Sequence, residues 1–354
     1  MTSEDRTPSF SVISGAQVHQ VLHGREKDVV RLVENAYRLH GQGETVNPPS
    51  YFLRFPDRPS SRIIALPASI GGDSPVDGIK WISSFPENIH EGLPRASALA
   101  ILNDPRTGYP YACLEASIVS ATRTAASAAL AADWLSRDRP RPRRVGIIGA
   151  GLIARYTLNY LTGDGWSFDT IGVHDLAAEQ AASFGSYCAD SHPGSEVVTY
   201  DTAEELIRSC DLIVFATVAS TPHVDDPTWF AHNPIVLHLS LRDLAPEVLL
   251  TASNIVDDVE HCLKAATSPH LTEQLTGARD FLDGTLYDVM AGAVRLPSDK
   301  PIVFSPFGLG VLDLAVSRHI HDELAAAGEL RPVEDFFFDL SRHANPSGSA
   351  AREG

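Results

Sequence analysis

The feature that most constrains this chain is a glycine-rich turn between an apolar run and a helical pattern. The turn reads Gly149-Ala-Gly151-Leu-Ile-Ala154 and follows the apolar run VGII. In a G-x-G-x-x-G/A turn the first glycine permits a sharp bend, the second lets the backbone approach a pyrophosphate, and the last small residue lets helix and strand pack closely. Free N–H groups at the start of the helix favour phosphate. The turn therefore predicts a dinucleotide site that includes Gly149, Gly151, Leu152 and Ile153.

An acidic residue closes the next predicted strand. Asp175 ends the segment TIGVHD, about 24 residues beyond Gly151. A carboxylate at this position hydrogen-bonds the ribose hydroxyls and repels a 2′-phosphate, so the sequence predicts NAD rather than NADP as the cofactor. The combination of strand, turn, helix and acid favours a cofactor site over a glycine turn without a ligand.

The order of the predicted elements indicates two domains, as expected for 354 residues. Strands and helices alternate over 126–313, which predicts an α/β fold with a doubly wound parallel sheet of the Rossmann type. Proline-punctuated strand-like segments and helices over 1–125 predict a second, α+β domain. We expect a C-terminal helix over 314–340 to complete that domain, and the polar tail 341–354 to be disordered.

Composition excludes several classes of function. The formal net charge of −17 opposes binding to nucleic acid or to an anionic membrane. The N-terminus has no apolar signal core, and no apolar run reaches the roughly 18 residues of a membrane span. The four cysteines lack the spacing of a zinc site, so we expect reduced thiols and a cytoplasmic location. His319 and His321 point to different faces of a helix, and we expect no metal site.

Several segments resemble the ornithine cyclodeaminase/μ-crystallin superfamily. They are TRTAA at 122–126, the preceding ILNDPRTGYPYACLEAS, and GIK at 78–80. RIIALP, GIKWI and EASIVSATRTAA resemble more closely one branch, the N-(2-amino-2-carboxyethyl)-L-glutamate dehydrogenases, which make L-2,3-diaminopropionate for siderophores and peptide antibiotics. PFGLG followed by Asp313 also fits. The resemblance implies a homodimer formed through the non-Rossmann, substrate-binding domain, with the C-terminal helix packed back on it.

The resemblance implies three cations on the substrate side, Lys80, Arg123 and Arg54. An arginine can bind a carboxylate through two parallel hydrogen bonds. A partly buried lysine can hold a carboxylate or donate a proton, with its pKa lowered by desolvation. Each cation alone would more often be a solvated or salt-bridged surface residue, but the motif match favours the site.

The resemblance places a catalytic aspartate at Asp243, after the predicted strand PIVLHLSL. A carboxylate at the carboxyl end of a Rossmann strand faces the ligand crevice and can accept the proton of a substrate amine. The competing interpretation is a helix N-cap before APEVLL. Further cofactor contacts are expected at the ends of other strands: Thr217, His238, Ser240, Pro306 and Phe307.

Two departures from the cyclodeaminase pattern bear on the substrate. Ala65 stands where cyclodeaminases have a glutamate, and Arg95 where they have a threonine. Loss of a negative charge and gain of a positive one favour an amino-acid-derived substrate with several carboxylates. We therefore expect NAD-dependent oxidative hydrolysis of N-(2-amino-2-carboxyethyl)-L-glutamate to L-2,3-diaminopropionate and 2-oxoglutarate. The alternatives are an ornithine cyclodeaminase, an imine reductase and a non-enzymatic ligand binder like μ-crystallin.

Overall fold

The computed structural model describes residues 8–338, in which two separate sheets are packed against helices. The first sheet lies in the N-terminal third of the chain, and its strands are β1 Ser11–Ile13, β2 Thr45–Val46, β3 Tyr51–Phe55, β4 Arg58–Ile70, β5 Val76–Ser84, β6 Ala96–Asn103 and β7 Pro110–Glu115. Their order is β1-β7-β6-β5-β4-β2, with β3 also paired to β4. All pairs are antiparallel except β1 with β7.

The second sheet is parallel throughout. Its strands are β8 Arg144–Ile148, β9 Thr170–His174, β10 Glu196–Thr199, β11 Leu212–Phe215, β12 Ile235–His238, β13 Ser253–Val256, β14 Leu282–Thr285 and β15 Ile302–Ser305. The order β10-β9-β8-β11-β12-β15-β13-β14 reverses direction at β8, because β9 lies on one side of it and β11 on the other. Ligands bind in the crevice at such a switch point, above the carboxyl ends of the strands. The predicted α/β fold with a doubly wound parallel sheet is confirmed.

The helices are interspersed with the strands along the chain. They are α1 Gly15–Leu22, α2 Glu26–Gly41, α3 Ser117–Leu135, α4 Leu152–Gly163, α5 Ala178–Ser191, α6 Ala203–Ser209, α7 Pro246–Leu249, α8 Val259–Cys262, α9 Ser268–Thr276, α10 Leu286–Met290 and α11 Gly310–Ala327. The alanine-rich α3 is almost wholly buried and contacts α2, α4, α11 and β12. The domain boundary predicted at 125/126 falls inside this continuous helix.

The C-terminal helix is shorter than predicted. Helix α11 ends at Ala327, whereas the sequence suggested 314–340. Gly328 adopts the left-handed conformation with φ of 69° and ends the helix. The helix packs on α2, β4 and β5, so it lies against the first sheet. The predicted disordered tail, 341–354, lies outside the described residues.

Candidate active site

The glycine turn has the shape that a dinucleotide requires. Gly149 has φ of 93°, and a Cβ there would lie 2.8 Å from the backbone of Ala216. A Cβ on Gly151 would meet nothing within 4 Å, so this face of the turn is open to a ligand. Helix α4 begins at Leu152, and its N-cap, Gly151, makes no side-chain capping bond. The first N–H groups of α4 are therefore available to a pyrophosphate.

Asp175 lies beside this turn, immediately after β9. Its Oδ2 accepts the N–H of Ala150 at 2.8 Å, and its Oδ1 accepts the N–H of Ala177 at 2.9 Å. These bonds hold the carboxylate at the carboxyl edge of the sheet, next to the predicted pyrophosphate position. The turn and the acid together fit NAD.

The remaining predicted cofactor residues lie along the same edge. Thr217 follows β11, His238 ends β12, and Pro306 and Phe307 follow β15. His238 is buried, and its Nδ1 lies 3.1 Å from Oγ of Ser305. A narrow crevice is lined by several of these side chains, including His238, Ser240, Pro306 and Phe307.

A larger cavity of about 160 Å³ joins the cofactor residues to the substrate side. Its lining consists of Arg123, Thr124, Ser127, Ile153, Leu239, Pro306, Phe307 and Gly308. The loop over this cavity is held by Asp257, a residue that the sequence analysis did not identify. The Asp257 carboxylate accepts the N–H groups of Phe307 at 3.0 Å and of Gly308 at 2.7 Å. The structure thus brings Arg123 and the predicted Phe307 loop to one cavity.

A buried carboxylate connects the two main substrate-side cations. Asp313 lies between them, with Oδ2 at 2.7 Å from Nζ of Lys80 and Oδ1 at 3.1 Å from Nε of Arg123. The side chains of Lys80 and Asp313 are 1% and 0% exposed. Burial lowers the pKa of Lys80, Asp313 raises it and the Arg123 charge lowers it again, which leaves it at about 8. Lys80 is therefore mostly protonated at neutral pH and loses its proton in mildly alkaline solution.

The other two predicted arginines lie at the far end of β4 and β5, outside the cavity lining. Arg54 is exposed on β3, with its guanidinium 4.9 Å from the ring centre of Phe52. Arg95 is half-buried just before β6, and its Nη1 donates to Oγ of Ser84 at 2.9 Å. Burial lowers the pKa of the Arg95 guanidinium.

The interpretation of Ala65 was wrong. Ala65 pairs with Trp81, whereas the next residue, Leu66, pairs with Lys80. Because neighbouring residues of a strand point to opposite faces, Ala65 lies on the face away from Lys80. The identity of residue 65 therefore says nothing about the charge of the cleft.

The Asp243 carboxylate is fully buried within a polar group of three side chains. Its Oδ1 accepts from the Thr217 hydroxyl and lies 3.0 Å from Nε2 of His223, and its Oδ2 lies 3.4 Å from Nε2 of His238. The backbone N–H of Asp243 donates to Nε2 of His238 at 3.2 Å. Burial alone raises the pKa of Asp243, but the interactions with His223 and His238 outweigh it and hold the pKa well below its usual range. Asp243 does not cap α7, whose N-cap is Ala245. The His223 side chain is 42% exposed and is the solvent-facing member of this group.

Residues 14–328 match the family model of the ornithine cyclodeaminase/mu-crystallin family. The chain belongs to this family. One family relative, N-((2S)-2-amino-2-carboxyethyl)-L-glutamate dehydrogenase of Staphylococcus aureus, is 27% identical over 319 residues, which are 88% of this chain and 94% of the relative.

Two solved structures of similar proteins cover nearly the whole chain. One is an archaeal alanine dehydrogenase dimer with bound NAD, at 27% identity and a TM-score of 0.82, covering 93% of this chain and 100% of that chain. The other is the Δ(1)-pyrroline-2-carboxylate reductase of Thermococcus litoralis with NADH and L-proline, at 23% identity and a TM-score of 0.84, covering 92% and 100%. The latter supports the fold alone.

Family membership and the site geometry confirm the predicted class of enzyme. The chain is an NAD-dependent oxidoreductase that acts on the CH–NH bond of an amino-acid substrate, and NAD is its cofactor. Among residues 8–338, no helix has both the length and the apolar character needed to cross a bilayer.

Proposed function

We propose that this enzyme catalyses the NAD-dependent oxidative hydrolysis of N-(2-amino-2-carboxyethyl)-L-glutamate to L-2,3-diaminopropionate and 2-oxoglutarate. One observation carries the proposal: Lys80 and Arg123 meet around Asp313, and farther along the first sheet lie Arg54 and Arg95, which have no carboxylate partner among residues 8–338. A substrate with three carboxylates needs cations at several points. The S. aureus relative bears the name of this activity and supports the assignment.

The proposed reaction removes a hydride from the glutamate α-carbon and a proton from its secondary amine. Bound NAD supplies the hydride acceptor. Water then adds to the carbon–nitrogen double bond, and cleavage of that bond gives the keto acid and the primary amine. Arg123 and protonated Lys80 hold the α-carboxylate of the glutamate half beside the cavity, and Asp313 keeps both cations in place.

The proton of the secondary amine needs an acceptor. Asp243 was predicted for this role, and we propose that it acts through His223. The Asp243 carboxylate is fully buried, whereas His223 is exposed and in hydrogen-bonding distance of it. A buried carboxylate orients such an imidazole and stabilises its protonated form.

The test of this function is product analysis with the purified protein and NAD. We expect one NADH for each N-(2-amino-2-carboxyethyl)-L-glutamate consumed, with 2-oxoglutarate and 2,3-diaminopropionate identified by mass. L-ornithine and L-alanine are the comparison substrates. Formation of proline and ammonia from ornithine without net NADH would overturn the proposal in favour of a cyclodeaminase.

We also propose a homodimer formed through the outer face of the first sheet. Large apolar side chains are exposed there, namely Tyr51, Leu53, Trp81, Leu99 and Ile101. Tyr51 of β3, Trp81 of β5 and Leu99 of β6 lie on one rung of the sheet, with Ala65 of β4 between the first two, so they form one continuous patch. Contiguous exposed apolar surface of this kind marks an interaction site. A cytoplasmic location stays a prediction.

A further inference from the structure

Four arginines converge at one end of the first sheet. Arg54 on β3 lies directly opposite Arg62 on β4, and Arg62 lies directly opposite Ser84 on β5. The Nη1 of Arg95 donates to the Ser84 hydroxyl, which brings a third guanidinium to the same rung. Like charges directly opposite each other destabilise an antiparallel pair. This arrangement therefore needs an explanation other than sheet stability.

The fourth member, Arg242, comes from the Rossmann part of the chain. Its Nη2 donates to the carbonyl of Ala265 at 3.0 Å, while its Nε is buried and has no hydrogen-bond partner among the residues that the structure describes. Burial lowers the pKa of Arg62, and the charges of Arg95, Arg54 and Arg242 lower it further. Arg242 thus lies close enough to Arg62 for its charge to act there.

Within the described part of this strongly acidic protein, the four arginines lack carboxylate partners. The chain has 45 aspartates and glutamates against 28 lysines and arginines. Within residues 8–338, none of the four arginines has a carboxylate oxygen within 4.0 Å, whereas Arg58 on the same strand pairs with Asp57. The positive charge of this group is therefore not neutralised by a carboxylate of the described residues.

The sheet relates this group to Lys80. Lys80 and Ser84 are four residues apart on β5, so both side chains lie on one face, separated by about 13 Å along the strand. Arg62 shares the rung of Ser84 and therefore this face. Positive charge is thus placed at both ends of one surface, and a ligand that uses both ends must carry negative charge at each end.

We propose that Arg62, Arg95 and Arg242, with Arg54 at the rim, form an anion subsite for the substrate carboxylates that are not attached to the reacting carbon. The identity of the substrate rests on the proposed function; the subsite itself rests on the arginine geometry. This placement assigns Arg95 to the substrate, because it lies on the face of Lys80 and the pyrophosphate turn is on the other sheet. Arg62 and Arg242 become residues that select a polycarboxylate over a monocarboxylate.

The test uses Arg62→Gln and Arg242→Gln in the full-length protein, with Arg58→Gln as the matched control. Arg58 lies on the same strand, is half-exposed and is outside the group. Steady-state kinetics should show KM for N-(2-amino-2-carboxyethyl)-L-glutamate raised about tenfold or more in the first two variants, as expected from the loss of a charged hydrogen bond. We expect the kcat to change far less and the Kd for NAD to stay as in the control.

A second measurement does not depend on turnover. Tricarballylate, a tricarboxylate without an amine, is titrated by calorimetry in the presence of NAD. Wild type and Arg58→Gln should bind it about tenfold more tightly than Arg62→Gln or Arg242→Gln. Arg62→Gln should also melt at the same or a higher temperature than wild type, because the substitution relieves repulsion and breaks no ion pair.

The outcomes separate the subsite from the proposed reaction. If wild type forms no NADH from the tricarboxylate amine but the tricarballylate titrations differ as expected, the proposed function fails and the subsite stands. If Arg62→Gln and Arg242→Gln both bind tricarballylate with the same affinity as Arg58→Gln, the proposed subsite is overturned, whichever reaction the enzyme catalyses. Loss of NAD affinity ahead of tricarballylate affinity would assign the arginines to the cofactor phosphates and also overturn the proposal.

Discussion

The charge of Lys80 is controlled by a residue far away in the sequence. Asp313 is fully buried, and it lies within 3.1 Å of a nitrogen on both Lys80 and Arg123. Burial of Lys80 would by itself favour the neutral amine, and the Asp313 charge opposes this effect. Asp313 is thus a positioning residue that keeps Lys80 protonated at neutral pH.

The first prediction concerns the pH dependence of kcat/KM. With the pKa of Lys80 at about 8, the substrate-binding cation is lost as the pH rises through that value, and kcat/KM should fall. Because Asp313 raises this pKa, Asp313→Asn should move the alkaline limb to lower pH. The control is Asp322→Asn, which removes a carboxylate paired with Arg318 on the same helix. An alkaline limb at the same pH in Asp313→Asn and wild type would exclude Lys80 as the titrating group.

The lowered pKa of Lys80 also makes the free energy of unfolding depend on pH. The pKa of Lys80 is lowered on folding, so the protonated amine is disfavoured in the folded state. This destabilisation is fully present below pH 8 and is relieved as the pH rises from about 8 towards the usual lysine value of 10.5. The contribution of Lys80 to the free energy of unfolding therefore increases over this range.

The second prediction concerns Asp243 and His223. Asp243→Asn keeps the shape of the side chain and should lower kcat about a hundredfold, in line with general-base contributions. If Asp243 acts through His223, His223→Gln should have a similar effect, and the double variant should be little worse than either single variant. His232→Gln is the control, since His232 hydrogen-bonds the carbonyl of Cys210 and lies outside the Asp243 group. Full additivity of the two losses would show that the residues act separately.

At the scale of elements, the turn between β8 and α4 contains one glycine that the fold requires and another that cofactor binding requires. Gly149 needs its positive φ and its closeness to Ala216. Gly151 has extended backbone angles and open space where a Cβ would lie. Two glycines that are two residues apart therefore have different physical roles.

The third prediction uses that difference. Gly151→Ala should fold with an unchanged melting temperature but lose NAD affinity by tenfold or more, because the methyl group occupies the approach of the pyrophosphate. Gly149→Ala should lower the melting temperature, because its methyl group meets backbone atoms at 2.8 Å. Thermal unfolding and calorimetric NAD titration measure both effects. Normal NAD binding by Gly151→Ala would place the pyrophosphate elsewhere.

At the scale of the whole molecule, the first sheet has two different faces. Helices bury one face, and the other is exposed and apolar. Residues 66, 68 and 70 of β4 point to the interior, whereas Trp81 and Leu99 point outward and are 44% and 50% exposed. An antiparallel sheet with one solvated face normally has polar residues on that face. The apolar outer face is consistent with the proposed dimer.

The fourth prediction tests that interface. Trp81→Glu should shift the protein from dimer towards monomer in light scattering coupled to size-exclusion chromatography, because a charge would be buried in the apolar contact. Leu250→Glu is the control; it replaces a leucine of similar exposure at the end of α7, away from the first sheet. A Trp81→Glu variant that stays dimeric would move the interface to another surface.

The cofactor site could be predicted from the sequence because its geometry is local. Gly149 and Gly151 belong to one short turn, and Asp175 ends the adjacent strand. Alternation of strands and helices also indicated the doubly wound sheet, which the structure confirms. These features depend on short-range backbone geometry, which contiguous residues specify.

Which charged residues meet at the substrate end of the cleft could be seen only in the tertiary structure. Nothing near Asp313 in the sequence indicates that it meets Lys80, and nothing near Arg242 indicates that it approaches Arg62. Strand register decided that Ala65 faces away from Lys80, since a shift of one residue reverses the face. By itself the sequence determined the fold class, the cofactor and the cations that the resemblance carried. Only the packing of distant segments decided which charges meet, because electrostatic contact depends on distance in space and not on separation along the chain.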